Sequence, residues 1–161
     1  MIRNFLVAIA FLLLAAPAMA VDFPTLTGRV VDRADMLTGR QEALLTRELA
    51  ALEGRTGDQL VIVTLRNLAN QPIAAYGRAL FDHWGVGQPG NKGVLIIILP
   101  RDGQVRIEVG SGLAEIVPDP AAQRIINRDM LPALSRSDWY GAIHEGQLSV
   151  IRLLTANPVR R

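Results

Sequence analysis

The sequence predicts an α/β protein, a three-layer α/β/α sandwich around a small central mixed sheet. Three observations carry this reading. Two apolar runs, Gln59 to Leu65 (QLVIVTL) and Val94 to Leu99 (VLIIIL), are short and rich in β-branched residues, as strands covered on both faces are. The segments around them repeat apolar residues at helical spacing. The second run leads through Pro100-Arg101-Asp102-Gly103 into an alternating strand, and Asp-Gly supplies the positive φ of a hairpin reversal, so the sheet is mixed. Because a helical segment joins the two apolar runs, they are expected to be parallel, with a right-handed crossover.

Taken in order, residues 1–20 read as a signal peptide. Arg3 gives a positive n-region, Phe5 to Ala16 an apolar h-region, and Ala18-Met19-Ala20 an A-x-A cleavage site. The apolar stretch is about a dozen residues, short of the roughly 20 that span a bilayer. Residues 21–161 then form a single domain. Val21 to Leu37 is a lead-in in which Val30-Val31 is either a short strand or an arm. Thr38 to Gln41 fits a capping box, and Leu44, Leu45, Leu49 and Leu52 stripe the helix that follows, up to stop signals at Gly54 and Gly57. After the strand at 59–65, Pro72 opens a helix with Ile73, Tyr76, Leu80 and Trp84 on its inner face.

Beyond the central strand, Val105, Ile107 and Val109 alternate with Gln104, Arg106 and Glu108, predicting one buried and one wetter face. Gly110-Ser111-Gly112 ends that strand. Asp119-Pro120 opens a helix to about Arg128, Met130-Leu131-Pro132 breaks it, and Ser137 or Asp138 caps a last helix, Trp139 to Thr155. Gly141 and Gly146 lie inside this helix, marking either close packing or weak helix.

Composition narrows the function. The chain has 17 basic and 15 acidic residues. Without Arg3 the balance is 16 to 15, which gives no footprint for nucleic acid. There is no cysteine, so thiol catalysis and Cys-type zinc sites are excluded. No apolar run after the leader reaches transmembrane length. No G-x-S-x-G elbow, Walker A or H-E-x-x-H occurs. His83 and His144 fall on different helices without metal-ligand spacing and read as surface or packing residues. Gly110-x-Gly112 lacks the third glycine of a dinucleotide fingerprint. What remains is a set of loop oxygens: Asp32, Asp35, Asn91, Glu115 and Asp119. They serve either as caps and solvated charges or as ligands for a hard cation such as calcium, which takes oxygen from flexible loops.

The blocks VVDRADML, LVIVTL, LFDHWGVG, NKGVLIIIL, VRIEVGSGL, the Asp119 helix start and LPALSRSDWYGAI, in this order, resemble the TPM domain family throughout the chain after residue 20. That family is named for thylakoid-lumen, photosystem II repair and neuromuscular auxiliary proteins and has many exported bacterial members. The resemblance implies the same α/β/α sandwich. It implies that the protein is exported, periplasmic or extracellular, and is either an accessory factor for a membrane or envelope protein complex or a metal-assisted acid phosphatase. It also implies a metal set of Asp32, Asn91, Asp119 and Glu115. Here Asn91 stands where many relatives carry aspartate, Glu115 is one place past a common glutamate position held by Ala114, and Ser111 replaces a common tyrosine.

The expected role is a non-catalytic accessory module that binds a protein partner, with a weak calcium site. The alternative is a phosphatase acting on phosphomonoesters, with Arg101 or Arg106 clamping the phosphate.

Overall fold

In a computed structural model of the protein, residues 22–156 are described; residues 1–21, which include the expected signal peptide, and residues 157–161 lie outside them. Four strands, β1 (Val30–Asp32), β2 (Gln59–Thr64), β3 (Gly93–Leu99) and β4 (Gln104–Val109), form one sheet in the order β1-β2-β3-β4. The first three are parallel, with Val30 beside Ile62 and Leu60 beside Val94. Strand β4 returns antiparallel to β3, with Val94 opposite Val109. The lead-in pair Val30-Val31 is thus a strand, buried against β2.

Helix α1 (Gly39–Thr56) starts at the expected capping box: Thr38 Oγ1 accepts the Gln41 N–H at 3.3 Å, and Gln41 Oε1 accepts the Thr38 N–H at 2.9 Å. It runs through Gly54 and stops at Gly57, whose φ of 76° suits a residue without a Cβ. Helix α2 (Ile73–Trp84) follows β2. Beyond β4 come a 3-10 turn (Ser111–Leu113), α3 (Asp119–Ile125), a π turn (Ile126–Met130), α4 (Leu131–Leu134) and α5 (Trp139–Ala156). The break expected at Met130–Pro132 is a change of pitch instead. The π turn hands α3 on to α4, and Pro132 sits in the first turn of α4, where its missing N–H is tolerated. Asp138 caps α5 by accepting the Gly141 N–H at 2.9 Å.

The period-2 alternation of the strands divides the core in two. Val30, Leu60, Ile62, Val94, Ile96 and Ile98 face α1, α3, α4 and α5. Val31, Val61, Val63, Leu95, Ile97 and Leu99 face α2, with Phe23 and Leu26 of the lead-in beside it. Strands β1, β2 and β3 step in one direction across the sheet, yet α1 and α2 lie on opposite faces. The two crossovers therefore have opposite hands, and only one of them obeys the right-handed rule.

The second face of β4 also departs from expectation. Arg106 and Glu108 pair with Ile97 and Leu95, on the side that α2 covers. Glu108 is only 5% exposed, and its Oε1 accepts the Arg106 Nε–H at 2.6 Å. That face is wet only at Gln104 and in part at Arg106.

Candidate functional site

In an open α/β sheet, ligands bind outside the carboxyl ends of the strands, where neighbouring connections leave to opposite faces. Here that point lies between β1 and β2, since the chain after β1 turns to α1 and the chain after β2 turns to α2. A cleft of about 490 Å³ opens there. Its walls come from the lead-in (Asp22, Phe23, Thr25), the end of β1 (Asp32, Arg33), α1 (Glu42), the chain after β2 (Asn67) and α2 (Tyr76). This volume lies within the range of small-molecule sites.

Asp32 is fixed from two sides. Its Oδ1 accepts the hydroxyl of Thr64 at the end of β2, and its Oδ2 accepts the Leu37 N–H at 2.8 Å. The Thr64 oxygen in turn accepts the Ala34 N–H at 3.0 Å. Asp35, at a φ of 56°, pairs with Arg66 across the same end of the sheet, and both side chains are exposed. Glu42, in the first turn of α1, has its carboxyl pushed above the ordinary glutamate value, by burial first and then by the negative charges of Asp32 and Asp35. Burial, followed by the charge of Asp22, likewise raises the Tyr76 phenol. Phe23 meets the Tyr76 ring edge-on at 5.2 Å between centroids, which holds the lead-in over the cleft. A separate cleft of about 310 Å³ at this end is lined by Ala34, Met36, Arg66, Pro100 and Arg101.

The remaining expected ligands stand elsewhere. Asn91 precedes β3, at the amino ends of the parallel strands. The seven residues of β3 separate it from the Asp32 end by about 20 Å at roughly 3.3 Å per residue. Asn91 has a φ of 52°, and its side-chain oxygen accepts a hydrogen bond from Gln88. Glu115 and Asp119 are exposed on the chain that leaves β4 at that same amino end. Asp32 is thus apart from Asn91, Glu115 and Asp119. Among the described residues, no group of three or more acidic or histidine side chains is gathered to hold a metal ion.

The glycines of the 110–112 loop have a steric role. A Cβ on Gly110 would lie 2.1 Å from the Asn91 carbonyl oxygen, and one on Gly112 2.4 Å from that of Gly90. The histidines pack: His83 against Phe23, and His144 stacked on Tyr140 and 3.3 Å from Glu48.

Glu42 and Thr64 do not stand out as site residues in the sequence, and Tyr76 stands out there only as an inner-face residue of its helix. Thr64 carried a legible signal, a hydroxyl closing an otherwise apolar strand. Glu42 and Tyr76 carried none, since each sits at an ordinary position on an amphipathic helix.

Residues 30–153 match the TPM domain family, and the chain belongs to that family. The solution NMR structure of the N-terminal domain of a protein from P. gingivalis is similar, with 28% identity and a TM-score of 0.77 over 84% of this chain and 88% of that one. Two further NMR structures share the fold. The N-terminal domain of the cg2496 protein from Corynebacterium glutamicum does so at 14% identity and a TM-score of 0.62, covering 89% of each chain. The BA42 protein from the psychrophilic bacterium Bizionia argentinensis does so at 15% identity and a TM-score of 0.67, covering 80% of this chain and 89% of that one. No curated protein sequence matches the chain.

Proposed function

We propose that this TPM domain protein is an exported accessory module that binds a protein partner at the membrane or envelope, and that a divalent cation, calcium, binds weakly in the cleft between β1 and β2. The observation that carries this reading is the convergence of Asp32 and Glu42 on one concave site at the carboxyl ends of the strands. Asp32 is held in place by Thr64 and Leu37, and each of its oxygens keeps a lone pair. The Glu42 carboxyl is raised first by burial and then by the charges of Asp32 and Asp35, and a cation there would offset that second contribution. The donor set fits a hard cation loosely. Asp22, Asp32 and Glu42, threonine hydroxyls and the Asn67 amide line the cleft, but among the described residues no three acidic side chains are gathered into a shell, so water completes it and affinity is low. Export is supported by the n-region, h-region and A-x-A site of residues 1–20. Among the described residues no helix is long and apolar enough to cross a membrane.

The test is a thermal melt in chelator and then in a calcium series. A ligand at 100 times its dissociation constant stabilises by about 2.7 kcal/mol. A saturable rise in Tm, lost in Asp32→Asn and in Glu42→Gln, is expected. A rise that survives both substitutions would move the cation away from this cleft.

One observation favours the second reading, a metal-assisted phosphatase: Arg66 and Arg101 line the neighbouring cleft at the same end of the sheet. A guanidinium pair beside a cation is the arrangement that clamps a phosphoryl group. Arg106 is instead tied to Glu108. Turnover of an aryl phosphate, abolished by Asp32→Asn and by Arg101→Gln, would establish this reading over the first.

A further inference from the structure

The helical layer opposite α2 carries its own cavity, of about 220 Å³, between α3, the π turn and α5. Arg124, Arg128 and Arg152 line it, over an apolar part that includes Ile125. A directed chain of hydrogen bonds runs through it. Arg152 Nη2 donates to Ser149 Oγ at 2.7 Å, the Ser149 hydroxyl donates to Asp129 Oδ2 at 2.7 Å, and Arg128 Nε donates to Asp129 Oδ1 at 2.9 Å. Ser149 is buried and Asp129 largely so, while the arginine heads are exposed. The chain therefore works from the inside outward, as a fixed base that orients two guanidiniums.

Each guanidinium has five N–H donors, and each gives only one of them to a hydrogen bond in this chain. Both oxygens of Asp129 already accept. Burial raises the Asp129 carboxyl, but its bonds from Arg128 and Ser149 and the charge of Arg152 outweigh this and hold it below the ordinary range, so it is a carboxylate at neutral pH. The Arg124 side chain, four residues before Arg128, has no hydrogen-bond or ion-pair partner among the described residues. Three cations face one anion around a concavity, and like charges four apart on a helix repel. The cavity also coincides with the π turn, a geometry that is rare and concentrated at functional sites.

We infer that this cavity binds a phosphate monoester group, held by Arg124, Arg128 and Arg152. Guanidinium forks match the oxygens of a phosphate in bidentate fashion, and the cavity is too small for a nucleotide but ample for a phosphate and the carbons attached to it. The group can belong to a soluble phosphomonoester or to a lipid headgroup. This site, between α3, the π turn and α5, shares no lining residue with the Asp32 cleft and does not depend on the reading given to that cleft.

The experiment titrates the purified protein calorimetrically with inorganic phosphate at low ionic strength. In parallel, it sediments the protein with phosphatidylcholine vesicles with and without phosphatidic acid. Saturable binding of either probe is expected, weakened at least about tenfold in Arg124→Gln/Arg152→Gln, as loss of charge-assisted bonds implies. Arg47→Gln, an exposed arginine of α1, leaves binding unchanged. Arg124→Gln alone removes a side chain without structural partners, so a loss in that variant is not a loss of fold. Binding to phosphatidic acid vesicles but not to inorganic phosphate assigns a lipid headgroup; binding to inorganic phosphate assigns a site that needs the phosphate group alone. Equal affinity in the parent and the double variant, or no binding of either probe, overturns the inference.

Discussion

The Thr64 hydroxyl donates to Asp32 while its oxygen accepts the Ala34 N–H at 3.0 Å, so one fully buried side chain at the end of β2 secures both the end of β1 and the loop that leaves it. Strand β1 is three residues long and needs such a pin. Thr64→Val keeps the shape and removes the hydroxyl, leaving an N–H and a carboxylate oxygen each short of one partner. A loss of roughly 1–3 kcal/mol is expected from urea denaturation, with faster hydrogen exchange at Ala34 and Leu37. If the variant unfolds at the parent's midpoint, Asp32 is not positioned by Thr64.

The raised carboxyl of Glu42 gives a pH test with a definite sign. Between the ordinary value of 4.5 and the raised folded value, the folded state binds more protons than the unfolded chain. Stability contributed by this group is therefore present at low pH and falls as pH rises through that window. Glu42→Gln lacks this fall, so it should be more stable than the parent at neutral pH in chelator. In excess calcium the order should narrow or reverse, if the cation lies beside Glu42. Thermal melts across acid to neutral pH, with and without calcium, read both effects; parallel curves for parent and variant would remove Glu42 from the site.

Gly77 of α2 lies against the buried carboxylate of Glu108. A Cβ at Gly77 would sit 2.7 Å from Ile97 Cδ1 and 3.3 Å from Glu108 Oε1. Alanine gains about 1 kcal/mol of helix propensity over glycine. Overpacking costs roughly 1–3 kcal/mol, and here the obstructing atoms are themselves buried. Gly77→Ala should therefore destabilise, measured by chemical denaturation. A net gain would mean that α2 rides more loosely over β4 than this contact implies.

That contact also explains why part of the fold was hidden in the sequence. Apolar runs announced β2 and β3, the Asp-Gly turn announced β4, and the Thr38 box announced α1, because each is a local signal. The burial of Glu108 was not local: it depends on a glycine 31 positions earlier, in a helix laid across the strand. The division of the expected metal ligands has a similar cause. Asp32 follows a parallel strand and Asn91 precedes one, so they must lie at opposite ends of the sheet once Val30-Val31 is known to pair with β2. The sequence left that pairing open, since two valines after a glycine suit an arm as well as a strand. The arginine cavity was invisible for a different reason: it needs a π turn, and nothing in INRDM distinguishes that pitch from an ordinary helix.

Gly146 and Met130 offer a measurement of how tightly α5 seats on the π turn. A Cβ at Gly146 would fall 2.6 Å from Met130 Sδ and 2.8 Å from its Cγ, and Met130 is completely buried. Methionine is flexible, but a fully enclosed one has nowhere to swing. Gly146→Ala is expected to lose roughly 1–3 kcal/mol to overpacking, against a gain of about 1 kcal/mol in helix propensity. Met130→Ala alone should lose about 2–5 kcal/mol by opening a cavity. In the double variant the new methyl occupies part of the space vacated by methionine, so the two losses should not add. A coupling of roughly 0.5–3 kcal/mol in the stabilising direction is expected from the double-mutant cycle. The same cycle can be read at the arginine cavity, because Met130 closes the π turn that carries Arg128 and Asp129. If packing here sets that turn, Gly146→Ala weakens phosphate binding, and the added Met130→Ala restores part of it. Additive stabilities and unchanged binding would show that α5 and the π turn are positioned independently of this contact.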